Sequence, residues 1–241
     1  MTIPTFVVSL ARSSDRRQQM QAVLEQAGIP FEFFDAIDGT TSAAFRYSEK
    51  AAPEITFKRK GYHLTPAEVA CFASHYALWE KCVDLGEPIL ILEDNISICS
   101  DLKSILTAVM PYIAQCQFIK LTATHPRKYS AKFKLSKTHS IGLYHKGTAG
   151  TGGYIITPTA AKSFLENAQQ FIEPIDDYVE KTWRHGIKAY HIYPSVLERS
   201  PAQSTIGNCR KQKQAVGLCH KLYMESFRVY ETLMRKLTSL T

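Results

Sequence analysis

One short segment restricts the fold more than any other. Pro88-Ile89-Leu90-Ile91-Leu92 is a continuous apolar run of strand length that gives way at once to Glu93-Asp94-Asn95. A strand without polar alternation must be covered on both faces, the condition of a central strand in a parallel sheet flanked by helices. Residues at its carboxyl end then lie where open α/β sheets bind ligands. The flanking sequence supplies the layers. Ile3 to Leu10 reads as a first buried strand. Asp15 to Ala27 reads as a helix, with Met20, Val23, Leu24 and Ala27 at helical spacing and a stop at Gly28 and Pro30. Phe31 to Ala36 reads as a second strand that runs into the Asp38-Gly39 turn signal. Strand, helix, strand in this order begins a parallel sheet.

Residues 40–63 carry no pattern and read as irregular. Thr65-Pro66-Ala67-Glu68 opens a capped helix that runs to about Asp84 and closes at Gly86 and Pro88. Asp101 to Ala114 reads as a helix in spite of Pro111, Gln117 to Thr122 as a strand, and His125 to Lys146 as a hairpin or loop. Gly147, Gly150, Gly152 and Gly153 suggest a flexible joint before the strand Tyr154 to Ile156. Helices are expected over Thr159 to Ala168 and Asp176 to His185, and a strand over Lys188 to Tyr193. Beyond a break near residue 200, Cys219, Leu222, Tyr223, Phe227, Tyr230, Leu233, Met234 and Leu237 form a helical stripe. The expected organisation is one α/β domain over 1–200 and a basic amphipathic helical segment over 201–241.

The formal charge of +7 favours a polyanionic partner. Nucleic acid is set aside, because the chain has no recognition module and no basic run interleaved with aromatics. No stretch reaches the 18 apolar residues of a membrane-spanning helix. Phe6 to Leu10 is too short for a signal-peptide core. Cys71, Cys82, Cys99, Cys116, Cys209 and Cys219 show no Cys-x-x-Cys spacing, which fits reduced thiols in a cytoplasm.

Several residues can carry chemistry, each with a plainer reading beside it. Asp94 with its neighbours can offer oxygen ligands to Mg2+ or Mn2+, or form only a polar turn. Arg12, Arg16 and Arg17 follow the first strand and can meet a diphosphate, or form a solvated helix face. Asp176 and Asp177 follow Pro174 at a helix start, where one can be a general base and either can be an N-cap. Glu93 is the competing base. His75 shares a helix with Cys71 and Trp79, where packing is the ordinary role of a histidine. The glycines near 150 lack a nucleotide-binding spacing and suggest mobility near an acceptor.

Four ordered blocks carry a resemblance. Val7-Val8-Ser9-Leu10 with Arg12 and Asp15-Arg16-Arg17, followed by Phe33-Phe34-Asp35-Ala36-Ile37-Asp38-Gly39, is similar to the opening of glycosyltransferase family 25. Leu64 to Cys71 with Ser74-His75 and Leu78-Trp79 resembles the family's Gly-Glu-x-Gly-Cys…Ser-His…Leu-Trp helix, and Ile89 to Asn95 its strand ending in Glu-Asp-Asp. Gly150 to Ala161 and Pro174-Ile175-Asp176-Asp177 also match, so the similarity spans roughly residues 3 to 205.

The resemblance implies a GT-A-like nucleotide-binding fold with a mostly parallel central sheet, to which this chain adds its helical tail. It implies a bacterial-type enzyme that transfers a hexose, with galactose expected, from a UDP-sugar to a lipooligosaccharide or lipopolysaccharide acceptor, with inversion. Ser9, Leu10, Arg12, Asp35, Ala36 and Asp38 are then expected at the uridine, His75 as support of the donor pocket, and Ser204 closing over the donor. Asp94 and Asn95 become the metal-holding pair. Asn95 departs from the family's third acid, and an uncharged amide should weaken or abolish metal dependence. That departure also admits a non-catalytic or weakly active nucleotide-sugar or saccharide binder. The basic tail stripe can rest on an anionic inner leaflet, which would make a cytoplasmic protein peripheral at the inner membrane, or it can be ordinary packing surface.

Overall fold

The computed structural model describes residues 3–41, 44–125, 127–200 and 215–240. The chain opens with β1 (Thr5–Ser9), α1 (Ser14–Gln26) and β2 (Glu32–Asp35). Next come α2 (Pro53–Lys60), α3 (Pro66–Leu85), β3 (Ile89–Glu93), β4 (Ile96–Ile98), α4 (Leu102–Val109) and α5 (Ile113–Cys116). The middle of the chain is β5 (Phe118–Lys120), β6 (Tyr129–Lys134), β7 (Ser140–Tyr144), β8 (Gly153–Ile156) and α6 (Pro158–Asn167). It ends with α7 (Ile175–Tyr178), α8 (Thr182–His185), β9 (Tyr190–Tyr193), β10 (Leu197–Arg199) and α9 (Leu218–Leu240).

Eight strands form one sheet in the order β2-β1-β3-β8-β5-β9-β7-β6. β8 is antiparallel to both its neighbours and so is β7, while β1 pairs β2 and β3 in parallel and β5 pairs β9 in parallel. β1, β2, β3, β5, β6 and β9 therefore run one way, and the sheet is mostly parallel as expected. β4 and β10 make a separate antiparallel pair, with Leu197 of β10 against Gly153 of β8. Alternate residues of β3 enter opposite cores. Ile89 and Ile91 pack with α3, α6 and α7, and Leu90 and Leu92 pack with α1, α4 and α5. All four are fully buried, which is why the run has no polar alternation.

The central helix is α3. Thr65 accepts from the Glu68 backbone N–H while the Glu68 carboxylate accepts from the Thr65 N–H, a reciprocal cap, and Gly86 ends the helix at φ 69°. Phe72, Tyr76 and Trp79 pack against Phe164, Phe171 and Tyr178, joining α3 to α6 and α7.

The structure departs from the pattern reading in five places. Residues 53–60 are helical within the stretch read as irregular. Their amphipathic signal is weak, and tertiary anchors hold them: the buried Thr56 hydroxyl bonds to Ala52 O and Ile172 O, both at 3.0 Å, and α9 packs alongside. The helix expected over 176–185 is two short helices, parted where Lys181 turns inward to Glu173. Pro111 splits the expected helix at a 3-10 turn, Met110–Tyr112. β4 and β10 were not expected, since each has three residues and a partner about 100 positions away.

The glycine-rich stretch is not a flexible joint. A Cβ on Gly147 would meet Glu180 Oε2 at 2.5 Å, one on Gly153 would meet Leu197 Cδ1 at 2.4 Å, and Thr148 and Thr151 are buried between them. Glycine is used here for close approach.

α9 lies on α2 and α8. His220 Nε2 bonds to Phe57 O at 3.1 Å and Lys58 O at 3.0 Å, Met224 is buried over Gly61, and Glu231 pairs with Lys181. The expected stripe divides: Phe227 and Met234 are half-buried, whereas Leu222, Tyr230, Leu233 and Leu237 are exposed. Among the described residues no helix is long and apolar enough to cross a membrane. The break near residue 200, Cys209 and Ser204 lie outside the described residues.

Candidate functional site

The carboxyl ends of β1, β3, β5 and β9 open into one cleft of about 580 Å³. Ser9, Leu10, Arg12, Ala36 and Asp38 line one end of it, and Glu93, Asp94, Asn95, His75 and Asp176 line it further along. Asp35 and Asp177 do not. The Asp35 side chain is 74% exposed and paired with Arg17, and Asp177 binds Lys60 Nζ at 3.0 Å.

The first end is built on the exits of β1 and β2. Arg17 donates to Ser9 O at 2.8 Å, and the Ala36 N–H donates to the same carbonyl at 2.9 Å, so the two strand ends are tied together. The Ile37 N–H donates to Ser74 Oγ at 2.9 Å, which fixes the strand exit to α3. Gly39 is obligatory, because a Cβ there would lie 2.3 Å from Pro66 O at the start of that helix. Asp38 receives Arg12 Nε at 2.7 Å and the Thr40 N–H at 2.9 Å, and these donors hold its carboxyl well below the usual range.

The floor is acidic. Asp94 accepts from Ser9 Oγ at 2.8 Å and from Arg16 at 3.3 Å. Thr151 donates to Glu93 Oε1, but burial pushes the Glu93 carboxyl up, reinforced by the nearby Asp176 and Asp94 charges. Asp176 accepts the Gly150 N–H at 3.3 Å and the Asp177 N–H at 3.0 Å, which aims one carboxylate at the cleft. Asn95 Oδ1 is buried with no hydrogen-bond partner. Buried acceptors are nearly always satisfied, so this oxygen is an acceptor awaiting a donor or a cation. Among the described residues no cluster of three or more His, Cys, Asp or Glu side chains could hold a metal by itself.

His75 is buried at the cleft wall and held from behind. The indole Nε1–H of Trp79 donates to the Tyr154 hydroxyl at 3.0 Å, and that hydroxyl lies 2.7 Å from His75 Nδ1. An indole only donates, so the arrangement that uses the tyrosine's own proton makes Nδ1 the acceptor and leaves the proton on Nε2. Nε2 faces Glu93 Oε1 at 3.9 Å. Burial lowers the His75 pKa to about 4, so the ring is neutral.

A second buried group braces the loop that carries Gly150 and Thr151. Lys120, wholly inaccessible, donates to Ala149 O at 3.0 Å and Thr148 Oγ1 at 3.2 Å and pairs with Glu180. Glu180 accepts the Thr148 N–H and hydroxyl, both at 2.7 Å, and His191 Nε2 lies 2.9 Å from that hydroxyl. Burial alone would raise the Glu180 carboxyl, and Lys120 reverses the shift to hold it ionised.

His75, His185 and His191 together predict acid lability. Burial lowers their values to about 4, about 3 and about 3 from an unfolded 6.5. Between those limits the unfolded chain binds more protons, so stability is lost as pH falls below about 6.5. Urea unfolding midpoints should therefore fall between pH 7 and pH 5. A flat profile over that interval would show that these rings protonate in the native state.

Sequence reasoning missed Thr148, Thr151, Lys120 and Glu180, and the cleft residues Tyr144 and Tyr193. The one local signal was a lysine, Lys120, within the strand read over Gln117 to Thr122; the other partners are brought together only by the fold.

Comparison with known proteins gives a consistent result. The family model described as glycosyltransferase family 25 (LPS biosynthesis protein) matches residues 2–179. The lacto-N-neotetraose biosynthesis glycosyltransferase LgtE of Neisseria meningitidis serogroup B is 28% identical over 207 residues, 79% of this chain and 71% of that protein. The lipooligosaccharide biosynthesis protein lic2B of Haemophilus influenzae is 39% identical over 92 residues, 38% of this chain and 33% of that protein. A Homo sapiens protein named inactive glycosyltransferase 25 family member 3 is 37% identical over 109 residues, 44% of this chain and 18% of its own length. The chain likewise spans 15% and 30% of two insect relatives.

Proposed function

The chain belongs to glycosyltransferase family 25, and from that premise we propose that it transfers a hexose, galactose first among them, from a UDP-sugar to a lipooligosaccharide or lipopolysaccharide saccharide, with inversion. One observation carries the reading. Residues as distant as Ser9, Asp38, Asp94 and Asp176 meet in a single cleft at the strand ends, whose lining also includes a carboxylate held by two backbone N–H groups and a buried unpaired acceptor.

In this reading the exits of β1 and β2 hold the uridine, with Ser9, Leu10, Arg12, Ala36 and Asp38 around it, and the diphosphate lies toward Asp94 and Asn95. Asp176 takes the proton of the acceptor hydroxyl. The hydroxyl oxygen bonds to the anomeric carbon, the bond from that carbon to UDP breaks, and its electron pair leaves with the phosphate. Asp177 is committed to Lys60, and Glu93, with its raised pKa, is the alternative base. Asp94 and Asn95 would hold Mg2+ or Mn2+, through the Asn95 Oδ1 that lacks a protein partner and the Asp94 lone pairs beyond those given to Ser9 and Arg16, and the uncharged amide makes that hold weaker than a pair of carboxylates would. When bound, such a cation supplies charge neutralisation to the leaving diphosphate. The exposed Leu218, Leu222, Leu233 and Leu237 of α9, with Lys221 and Arg228 on the same helix, support an anionic membrane surface as a partner, and so a peripheral place at the inner face of the inner membrane.

Asn95 and the human relative named inactive favour a second reading, a binder of nucleotide sugars without turnover. The test is release of free UDP from a panel of UDP-hexoses, with and without Mn2+ and a lactose-like acceptor, in wild type and Asp94→Ala. Acceptor-dependent release lost in the variant supports the transferase. UDP binding without consumption of any donor supports the binder.

A further inference from the structure

The far end of the same cleft is aromatic. Three strands, β3, β8 and β5, lie between β1 and β9, which at sheet spacing sets the two ends about 19 Å apart. That distance leaves room for a second sugar beside a nucleotide-linked one. Tyr193, the last residue of β9, lines this end and is 47% exposed. Among the described residues outside α9, the large apolar side chains exposed to this degree are Tyr193 and Leu85, and only Tyr193 lines the cleft. An open aromatic at a cleft mouth has a hydration cost that a ligand relieves.

Tyr193 is also held in place. Its ring stacks on Tyr129 with centroids 4.8 Å apart and planes 29° apart, and Tyr129 in turn meets Tyr144 at 5.1 Å. The Tyr129 hydroxyl donates to Ser140 O at 3.1 Å. Gly142 leaves room for Tyr129, since a Cβ there would lie 2.7 Å from its Cζ. One face of Tyr193 therefore rests on a fixed support. Glu198 and Arg199, both exposed, line the same cleft from β10, Arg199 within reach of the Glu93 charge and Glu198 hydrogen-bonded to Cys99. A pyranoside has an apolar C–H face and a rim of hydroxyls, and the C–H face complements an open aromatic plane in a cleft that polar side chains also line.

We propose that Tyr193, seated on Tyr129, is the stacking platform for the acceptor, a neutral pyranoside glycan. The proposal rests on the transferase reading for the word acceptor, and on the cleft alone for the binding. The test is saturation-transfer NMR titration of methyl β-lactoside in the presence of UDP, with wild type, Tyr193→Ala and Tyr193→Phe. Tyr193→Ala should weaken the lactoside about tenfold, Tyr193→Phe should bind as wild type does, and UDP affinity should be the same in all three. Equal lactoside affinity in wild type and Tyr193→Ala overturns the platform, as does a parallel loss of UDP binding or the absence of any NMR saturation-transfer signal from lactoside with wild type. UDP-hexose consumption in the same samples separates the two readings. Tyr193-dependent lactoside binding without donor consumption keeps the platform and rejects the transferase. Donor consumption with Tyr193-independent lactoside binding does the reverse.

Discussion

Asp176→Asn is expected to lower kcat by about 10²–10⁴-fold, the usual contribution of a positioned general base. The exchange keeps the shape and one of the two oxygens that now accept separately from the Gly150 and Asp177 N–H groups, turns an NH2 toward the other, and removes the capacity to take a proton. UDP affinity by calorimetry should stay unchanged, because none of the uridine-side contacts passes through residue 176. Asp177→Asn is the matched comparison. It loosens the Lys60 pair at the same helix start and leaves the cleft carboxylate in place, so its effect should fall on stability before turnover. If Asp176→Asn retains activity within about threefold while Glu93→Gln abolishes it, the base is Glu93, whose carboxyl burial pushes up and so makes a stronger proton acceptor.

Lys120→Met is expected to destabilise the fold by about 3–5 kcal/mol, because it leaves the Glu180 carboxylate buried without its cation. At this chain length about 1 kcal/mol corresponds to roughly 2–4 °C, so Tm should fall by about 10 °C. The double variant Lys120→Met/Glu180→Leu should recover part of the loss, since replacing both members of a buried pair is much less damaging than removing one. Recovery should be incomplete, as the Thr148 N–H and hydroxyl also lose their acceptor. Thermal unfolding of wild type and the two variants decides the matter, and a single variant as stable as wild type would mean that water reaches Glu180. The same loop presents Gly150 to Asp176 and Thr151 to Glu93, so the damage should reach the cleft as well.

Much of this architecture can be read from local pattern. The β3 run with no polar residue could be satisfied only by cover on both faces, and the structure divides its four buried side chains between two cores. The reciprocal cap at Thr65 and Glu68 and the left-handed Gly86 delimit α3 from within a few residues of its ends. Asp94 and Asp176 were recognisable because strand ends and helix starts are places where local sequence predicts exposure of polar groups to a ligand, whereas Ser9 and Asp38 entered only through the resemblance to the family.

What stayed hidden depends on partners far along the chain. Lys120 pairs with Glu180 and Thr151 bonds Glu93 across 60 and 58 positions, and no window of sequence contains both members. The glycines near 150 look mobile in one dimension and are close-packed in three, because only the fold supplies Glu180 and Leu197 to fill the space a side chain would need. Asp176 and Asp177 are equivalent in sequence, and the position of Lys60 alone distinguishes the carboxylate on the cleft from the one in an ion pair. The sequence by itself determined the elements and the strand ends, since periodicity, caps and glycine stops act over a few residues. Tertiary structure decided which acid faces the cleft, which lysine is buried and which tyrosine is left open, since charge pairing and packing act between residues that only the fold makes neighbours.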